Sequence, residues 1–205
     1  MKIITVSREF GSGGRELGKR LADELGFAYY DKEIITAIAE EEGLSEEYVE
    51  RVLETPSAFG YTVTYSRSFF NLQNFNTTPQ LLAKQHNLIK KIAQKGNCVI
   101  VGRGADAILS EYSPFKIFVH ADMPSKIDRC IKRGRPGEEL SERELKRKIH
   151  RVDKARSDNY SFVSDYSWGD KAAYDLCVNT TGLEIKKIVP HIAAYAEAWF
   201  QTKEK

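Results

Sequence analysis

The chain is poor in the residues that staple small folds or hold metals. It has three cysteines in 205 residues, Cys98, Cys130 and Cys177, with no CxxC pair and only four histidines. An odd, scattered set excludes a disulfide framework and offers no zinc spacing, so buried, reduced thiols are expected. His86, His120, His150 and His191 show no ligand spacing either. Charge of one sign is also scarce. Lys plus Arg number 31 against 29 Asp plus Glu, a net charge of +2, so any attraction to a polyanion must be local. With no known nucleic-acid motif beside that balance, no nucleic-acid partner is expected. No apolar run approaches about 20 residues, and no basic-then-apolar leader precedes the first strand-like run. The sequence therefore reads as a cytoplasmic protein with no membrane partner. Internal repeats and low-complexity tracts are missing as well.

What is present suffices for a sizeable core: 41% of residues are hydrophobic and 29% charged, which fits one domain over residues 1–205. Apolar runs rich in β-branched residues occur at 2–7 (KIITVS), 98–102 (CVIVG) and 115–120 (FKIFVH), with weaker ones at 27–30 and 174–179. They do not alternate, as expected of strands buried on both faces. Between them, helical patterns cover 15–25, 31–42, 45–54, 79–95, 124–133, 141–157 and 183–201, with Ser45 as an N-cap and Gly96 closing the fourth. Strands alternating with helices predict a parallel sheet covered on both sides. Residues 55–79 are aromatic and polar without periodicity, and read either as a flexible substrate-side segment or as an ordered connector burying its aromatics.

The stretch REFGSGGRELGKRLA, Arg8 to Ala22, follows the first strand. Glycines between a parallel strand and a helix let backbone amides close around phosphates at the positive end of the helix dipole. Two registers compete for a P-loop pattern. Gly13-x4-Gly18-Lys19 supplies a lysine, but the next residue is Arg20 in place of Ser or Thr. Leu17, Leu21 and Leu25 already define the buried face of that helix. Lys19 lies about 200° from Leu17 at roughly 100° per residue, on the surface. The preferred register starts at Arg8 and puts Gly11, Ser12 and Gly13 in the loop. It leaves Gly14 where lysine belongs and Glu16 where Ser or Thr would meet magnesium. The loop keeps its backbone cradle and loses both diagnostic side chains.

ITVSREFGSGGRELGKRLADELGFAYYDKEII, VIVGRGADAIL, KIFVHADMPSKIDR, VDKARSDNY and WGDKAAYDLCVNTTGLEIKKIV together resemble the cytidylate kinase-like family of P-loop proteins. More distantly the chain is similar to bacterial cytidylate kinases and other nucleoside monophosphate kinases. The resemblance implies an α/β P-loop kinase fold with a five-stranded parallel sheet in the order 2-3-1-4-5, flanked by helices. It also implies a monophosphate side, a helical lid at 134–160, and phosphoryl transfer from ATP with Mg2+. Departures accompany it. Lysine and threonine of the P-loop read Gly14 and Glu16, and an Arg-Asp pair after the third strand reads Arg103-Gly104, with Asp106 nearby.

Phosphoryl transfer needs positioning and positive charge more than covalent chemistry. From Lys126 to Arg156 twelve basic residues face six acidic ones, an excess that dwarfs the +2 of the whole chain. Arg151, Lys154 and Arg156 are the catalytic candidates there, with Asp153, Lys154 and Arg156 falling in the lid signature by resemblance. A solvated helix with i,i+4 pairs is the alternative, stronger for 138–148. Arg103 ends a strand where ligands of open α/β sheets bind, and is placed to meet a monophosphate or to hold its loop by an ion pair. Asp31 either accepts from a nucleoside or caps the next helix, and Asp106 joins the substrate side. Trp168-Gly169-Asp170 reads as a packed turn. ATP phosphates are assigned to Arg8, Gly11, Ser12, Gly13, Gly14, Arg15 and Glu16, with Glu16 also the candidate magnesium ligand. Arg15 is expected to replace the missing lysine, since it lies one residue away and needs no closure; Arg8 and Arg156 are the other candidates. The expected activity is ATP-dependent phosphorylation of a nucleoside monophosphate or related small phosphate acceptor, with a nucleotide-binding regulator lacking turnover as the rival.

Overall fold

A computed structural model describes residues 1–54, 77–134 and 140–203. Most of the 55–79 segment and residues 135–139 of the expected lid lie outside the described residues.

Five strands form one parallel sheet: β1 (Ile3–Arg8), β2 (Ala28–Tyr30), β3 (Cys98–Val101), β4 (Phe115–His120) and β5 (Leu176–Asn179). Their order is β2-β3-β1-β4-β5, as expected. β1 is central, in register with β3 through Val6 and Val101 and with β4 through Val6 and Ile117. All six of its residues are buried, which explains the unbroken apolar run. β5 is an edge strand whose residues alternate between half-buried and exposed. Of the three thiols expected to be buried only Cys98 is: Cys130 is half-buried, and Cys177 on β5 is exposed because an edge strand has one uncovered side.

Helices α1 (Gly14–Leu25), α2 (Glu33–Glu42), α3 (Glu46–Glu54), α4 (Thr77–Gln94), α5 (Ala105–Ile108), α6 (Met123–Arg133), α7 (Glu142–Tyr160) and α8 (Ile185–Lys203) complete the described chain. On one face, α1 and α8 pack Leu17, Leu21, Ile185, Val189 and Ile192 against Ile4, Val6 and Val119. On the other, Ile34, Ile38, Val49, Leu81 and Ile89 of α2 to α4 cover Ile3, Cys98 and Ile100. Two faces of covering explain how a chain with only a modest apolar excess closes its sheet. The N-cap at Ser45 is present: Ser45 Oγ accepts from Tyr48 N at 3.2 Å. α5 is the helix the pattern did not reveal, being four residues long and too short to show a period.

Candidate active site

The ends of β1, β2 and β3 open toward the same side. After β1 the chain turns through Gly11 (φ 78°) and Gly13 (φ 84°), a left-handed region that side chains avoid. α1 then begins at Gly14, and Leu17 is the first amide of the helix bonded to a carbonyl, that of Gly13 at 2.9 Å. The amides of Gly14, Arg15 and Glu16 are left at a helix N-terminus, the geometry that receives phosphate oxygens. The loop is braced from outside. Thr180 Oγ1 donates to Ser12 O at 2.7 Å, and the Arg129 guanidinium donates to the carbonyls of Gly11, Thr180 and Leu183. Lys19 is on the solvent face and pairs with Asp23 at 2.8 Å, while Leu17 and Leu21 are fully buried. These positions fit the register that starts at Arg8.

Four arginines gather beside the loop. Arg8 is buried at the end of β1, and its Nη2 lies 3.7 Å from Asp31 Oδ1. Arg15 Nε lies 2.5 Å from Asp31 Oδ2. Arg156, from α7, donates to the carbonyl of Arg8 at 2.9 Å. Arg103 follows β3 with a left-handed backbone (φ 62°). Burial, then Arg156, with Arg103 and Arg15 adding, brings the Arg8 guanidinium down to about 9; Asp31 opposes. Asp31 faces Arg8 and Arg15, and Asp153 lies 3.9 Å from Arg156, so the four guanidinium groups outnumber these carboxylates and leave a local excess of positive charge that suits a multiply charged anion.

Next to this cluster is a cavity of about 460 Å³. Arg8, Arg103, Arg151 and Arg156 line its charged side, while Val52, Leu53, Leu82, Phe162, Val163 and Trp168 line its apolar side. Gln85 also lines it, 5% exposed, and its Oε1 has no hydrogen-bond partner among the described residues.

The expected site residues separate on this frame. Arg8, Arg103, Arg151 and Arg156 meet at the cavity. Asp31 does not cap α2, whose N-cap is Lys32; it holds Arg15 and Arg8. The Arg15 guanidinium, expected to curl over the loop, is held on Asp31 instead, because that carboxylate is buried and near. Lys154 is turned outward onto Asp158 at 2.9 Å, its side chain 76% exposed. Asp106 is not brought to the cavity. It is 1% exposed, with Oδ1 accepting from Ser7 Oγ at 3.1 Å and Oδ2 from Tyr160 at 2.7 Å. Burial lifts its pKa, and those two hydrogen bonds oppose the rise. Glu16 is held by Arg20 and Arg133, so its carboxylate is not arranged as a magnesium ligand. Among the described residues no group of three or more His, Cys, Asp or Glu could hold a metal. Trp168 is packed edge-on to Phe118 at 5.3 Å, as the turn reading expected.

Sequence reasoning missed Gln85 and Lys126. Gln85 is four residues from both Leu81 and Ile89, a polar residue on the buried stripe of α4, and that misfit was the available signal. Lys126 is 5% exposed and joins Glu9 (2.6 Å) to Asp153 (3.2 Å), while Asp153 also accepts from Phe10 N at 2.6 Å. No sequence pattern distinguishes it from the other lysines of the basic stretch.

Residues 3–182 match the sequence profile of the cytidylate kinase-like family. The chain belongs to the cytidylate kinase-like family. A cytidylate kinase of Streptococcus pneumoniae strain 70585 is 26% identical over 220 aligned residues, covering 95% of this chain and 96% of that protein. Among solved structures, an uncharacterized protein from Eubacterium ventriosum superposes with a TM-score of 0.70 at 24% identity, covering 96% and 99% of the two chains. A shikimate kinase from Bacteroides thetaiotaomicron superposes at 0.58 with 16% identity, covering 96% and 98%. These likenesses carry the fold, a P-loop kinase fold. The loop departs from the P-loop pattern: in the register starting at Arg8, Gly14 and Arg15 stand at the seventh and eighth positions, where the pattern has lysine and Ser or Thr, and Glu16 lies one residue further on. No described helix is long and apolar enough to cross a membrane.

Proposed function

We propose that this protein transfers a phosphoryl group from ATP to a small phosphate-bearing acceptor of the nucleoside monophosphate type. The observation that carries the reading is the gathering of four arginines beside the loop, two of them paired with Asp31, next to a helix N-terminus whose first amides meet no carbonyl among the described residues. The loop from Gly11 to Glu16 supports ATP phosphates through its backbone amides, and ATP, bound with Mg2+, supplies the transferable group. Arg103, Arg151 and Arg156 are suited to the acceptor phosphate, since forked guanidinium contacts match its oxygens. Asp31 holds Arg15 at 2.5 Å and lies 3.7 Å from the Arg8 guanidinium before substrate arrives, which limits the reorganisation the cluster needs during reaction. The apolar wall and the Gln85 oxygen, unpartnered among the described residues, suit a flat ring that donates one hydrogen bond.

Glycine at position 14 favours a second reading, a nucleotide-binding regulator without turnover. ADP release from Mg-ATP, measured across CMP, dCMP, UMP, AMP and the phosphate-free acceptor shikimate, separates the two. Turnover with at least one monophosphate and none with shikimate is expected. Tight ATP binding without acceptor-dependent turnover would favour the regulator.

A further inference from the structure

The loop lacks a lysine, yet the space beside Gly14 is filled by the stem of another basic side chain, that of Arg8. A Cβ built on Gly14 would overlap the Cβ of Arg8 and lie 3.0 Å from its Cγ. A Cβ built on Gly102, at the end of β3, would overlap Arg8 Nη1 and lie 2.7 Å from its Cζ. The Arg8 side chain therefore threads a channel whose two walls are glycines. Its stem fills the space a side chain at 14 would need, and its guanidinium reaches the cavity. In the register starting at Arg8, the P-loop pattern has glycine first and lysine seventh; this chain has arginine first and glycine seventh. We propose that the two positions form an exchanged pair: Arg8 is the phosphate-binding cation of this loop, and Gly14 is glycine because Arg8 enters there.

Three features support the exchange independently of the missing lysine. Gly102 has a left-handed backbone (φ 77°) and no room for a side chain while Arg8 is present. The backbone of Arg8 is fixed by Arg156 on its carbonyl, its stem is confined between Gly14 and Gly102, and its guanidinium lies 3.7 Å from Asp31, so its inward pose is favoured before a ligand arrives. The rival, Arg15, starts from the same carboxylate with its side chain 53% exposed, and would have to leave a 2.5 Å ion pair to reach a phosphate. The exchange moves the cation from the helix side of the loop to the strand side. There it can bridge the donor's terminal phosphate and the acceptor. The inference deepens the phosphoryl-transfer reading and rests on it for the identity of the ligand.

The test is a swap cycle using Arg8→Gly, Gly14→Lys and the double variant, with Arg8→Met as a variant that keeps the stem. Folding is read by thermal melting and circular dichroism. Binding is read by calorimetry with tripolyphosphate and ADP. Arg8→Met is expected to fold and to lose about tenfold or more in tripolyphosphate affinity, as removal of one preorganised donor does. Gly14→Lys alone is expected to melt lower than wild type. Arg8→Gly/Gly14→Lys is expected to recover much of that loss and to bind tripolyphosphate more tightly than Arg8→Gly. Tripolyphosphate affinity unchanged in Arg8→Met, or absent in wild type, would overturn the assignment. So would a double variant no more stable than Gly14→Lys. Tripolyphosphate binding that depends on Arg8, with no ADP binding, would instead leave the exchange standing and remove ATP as the donor.

Discussion

Replacing Arg8 by methionine is expected to make the ligand-free protein more stable, the reverse of the usual result at a buried site. Arg8 sits in a cluster that favours an anion and, without one, strains it. Burial, then Arg156, brings its guanidinium down to about 9. At about 1.4 kcal/mol per tenfold change, that displacement corresponds to roughly 5 kcal/mol of unfavourable charge burial at neutral pH. Methionine keeps an apolar stem against Gly14 and adds no charge. Asp31 would keep Arg15 at 2.5 Å and lose Arg8 at 3.7 Å, which takes back part of the gain. A net increase of about 2 kcal/mol is expected, or a Tm higher by ~4–8 °C for a chain of this size.

The pH dependence has a definite sign. Burial and then Arg156 lower the Arg8 guanidinium in the folded chain, while the unfolded chain keeps the ordinary, higher value. Between those values the unfolded state binds more protons, so wild type gains stability as pH climbs. The advantage of Arg8→Met is therefore full between about pH 6 and 8 and shrinks above about 9. Urea unfolding of both proteins in parallel, stepped from neutral to alkaline pH, measures the gap directly. Added phosphate should narrow it from the other side, because the anion binds only the folded wild type. A variant less stable than wild type at pH 7, or a gap that ignores pH, would refute the reasoning.

Lys126→Met leaves Glu9 and Asp153 facing each other without their buried cation, a change expected to cost about 3–5 kcal/mol. Burial already lifts the Asp153 pKa, so the variant should hold protons there and lose less stability at pH 5 than at pH 7; equal losses in urea unfolding would discard this account. Gln85→Leu should raise the acceptor KM about tenfold, with kcat and the KM for ATP within about threefold of wild type. An unchanged acceptor KM would remove Gln85 from the ring-binding wall.

The fold was legible because its evidence is local and redundant. β1 and β4 announce themselves by unbroken β-branched runs, and α1 by Leu17, Leu21 and Leu25 on one stripe. Each needs only neighbours in sequence to be read. α5 escaped because four residues carry no period, and Cys177 because being on an edge strand is a property of the sheet, not of β5 alone. The site was legible in its membership and not in its pairings. The loop, Arg8 and Arg103 could be chosen by position relative to strand ends, and Arg151 and Arg156 by the basic stretch and the family resemblance. Lys154, one turn of helix from Arg151 and two residues from Arg156, faces solvent, and the sequence had no way to rank those three.

The missing lysine shows where that limit lies. Sequence spacing makes Arg15 the natural substitute, since it follows the vacant position directly. Choosing between Arg15 and Arg8 depends on Asp31, which is 16 residues beyond Arg15 and arrives only when β2 is laid beside β3. It depends equally on Gly102, at the far end of β3 from any residue of the loop in sequence. A glycine reads in a sequence as freedom of the backbone, and at Gly13 that reading is right. At Gly14 the physical content is different: the glycine marks a volume already taken by another residue's side chain. Such an exclusion leaves no local trace, because the residue that explains it lies across the loop. A lost motif residue is therefore weak evidence for lost chemistry until the space it vacated has been examined for a replacement.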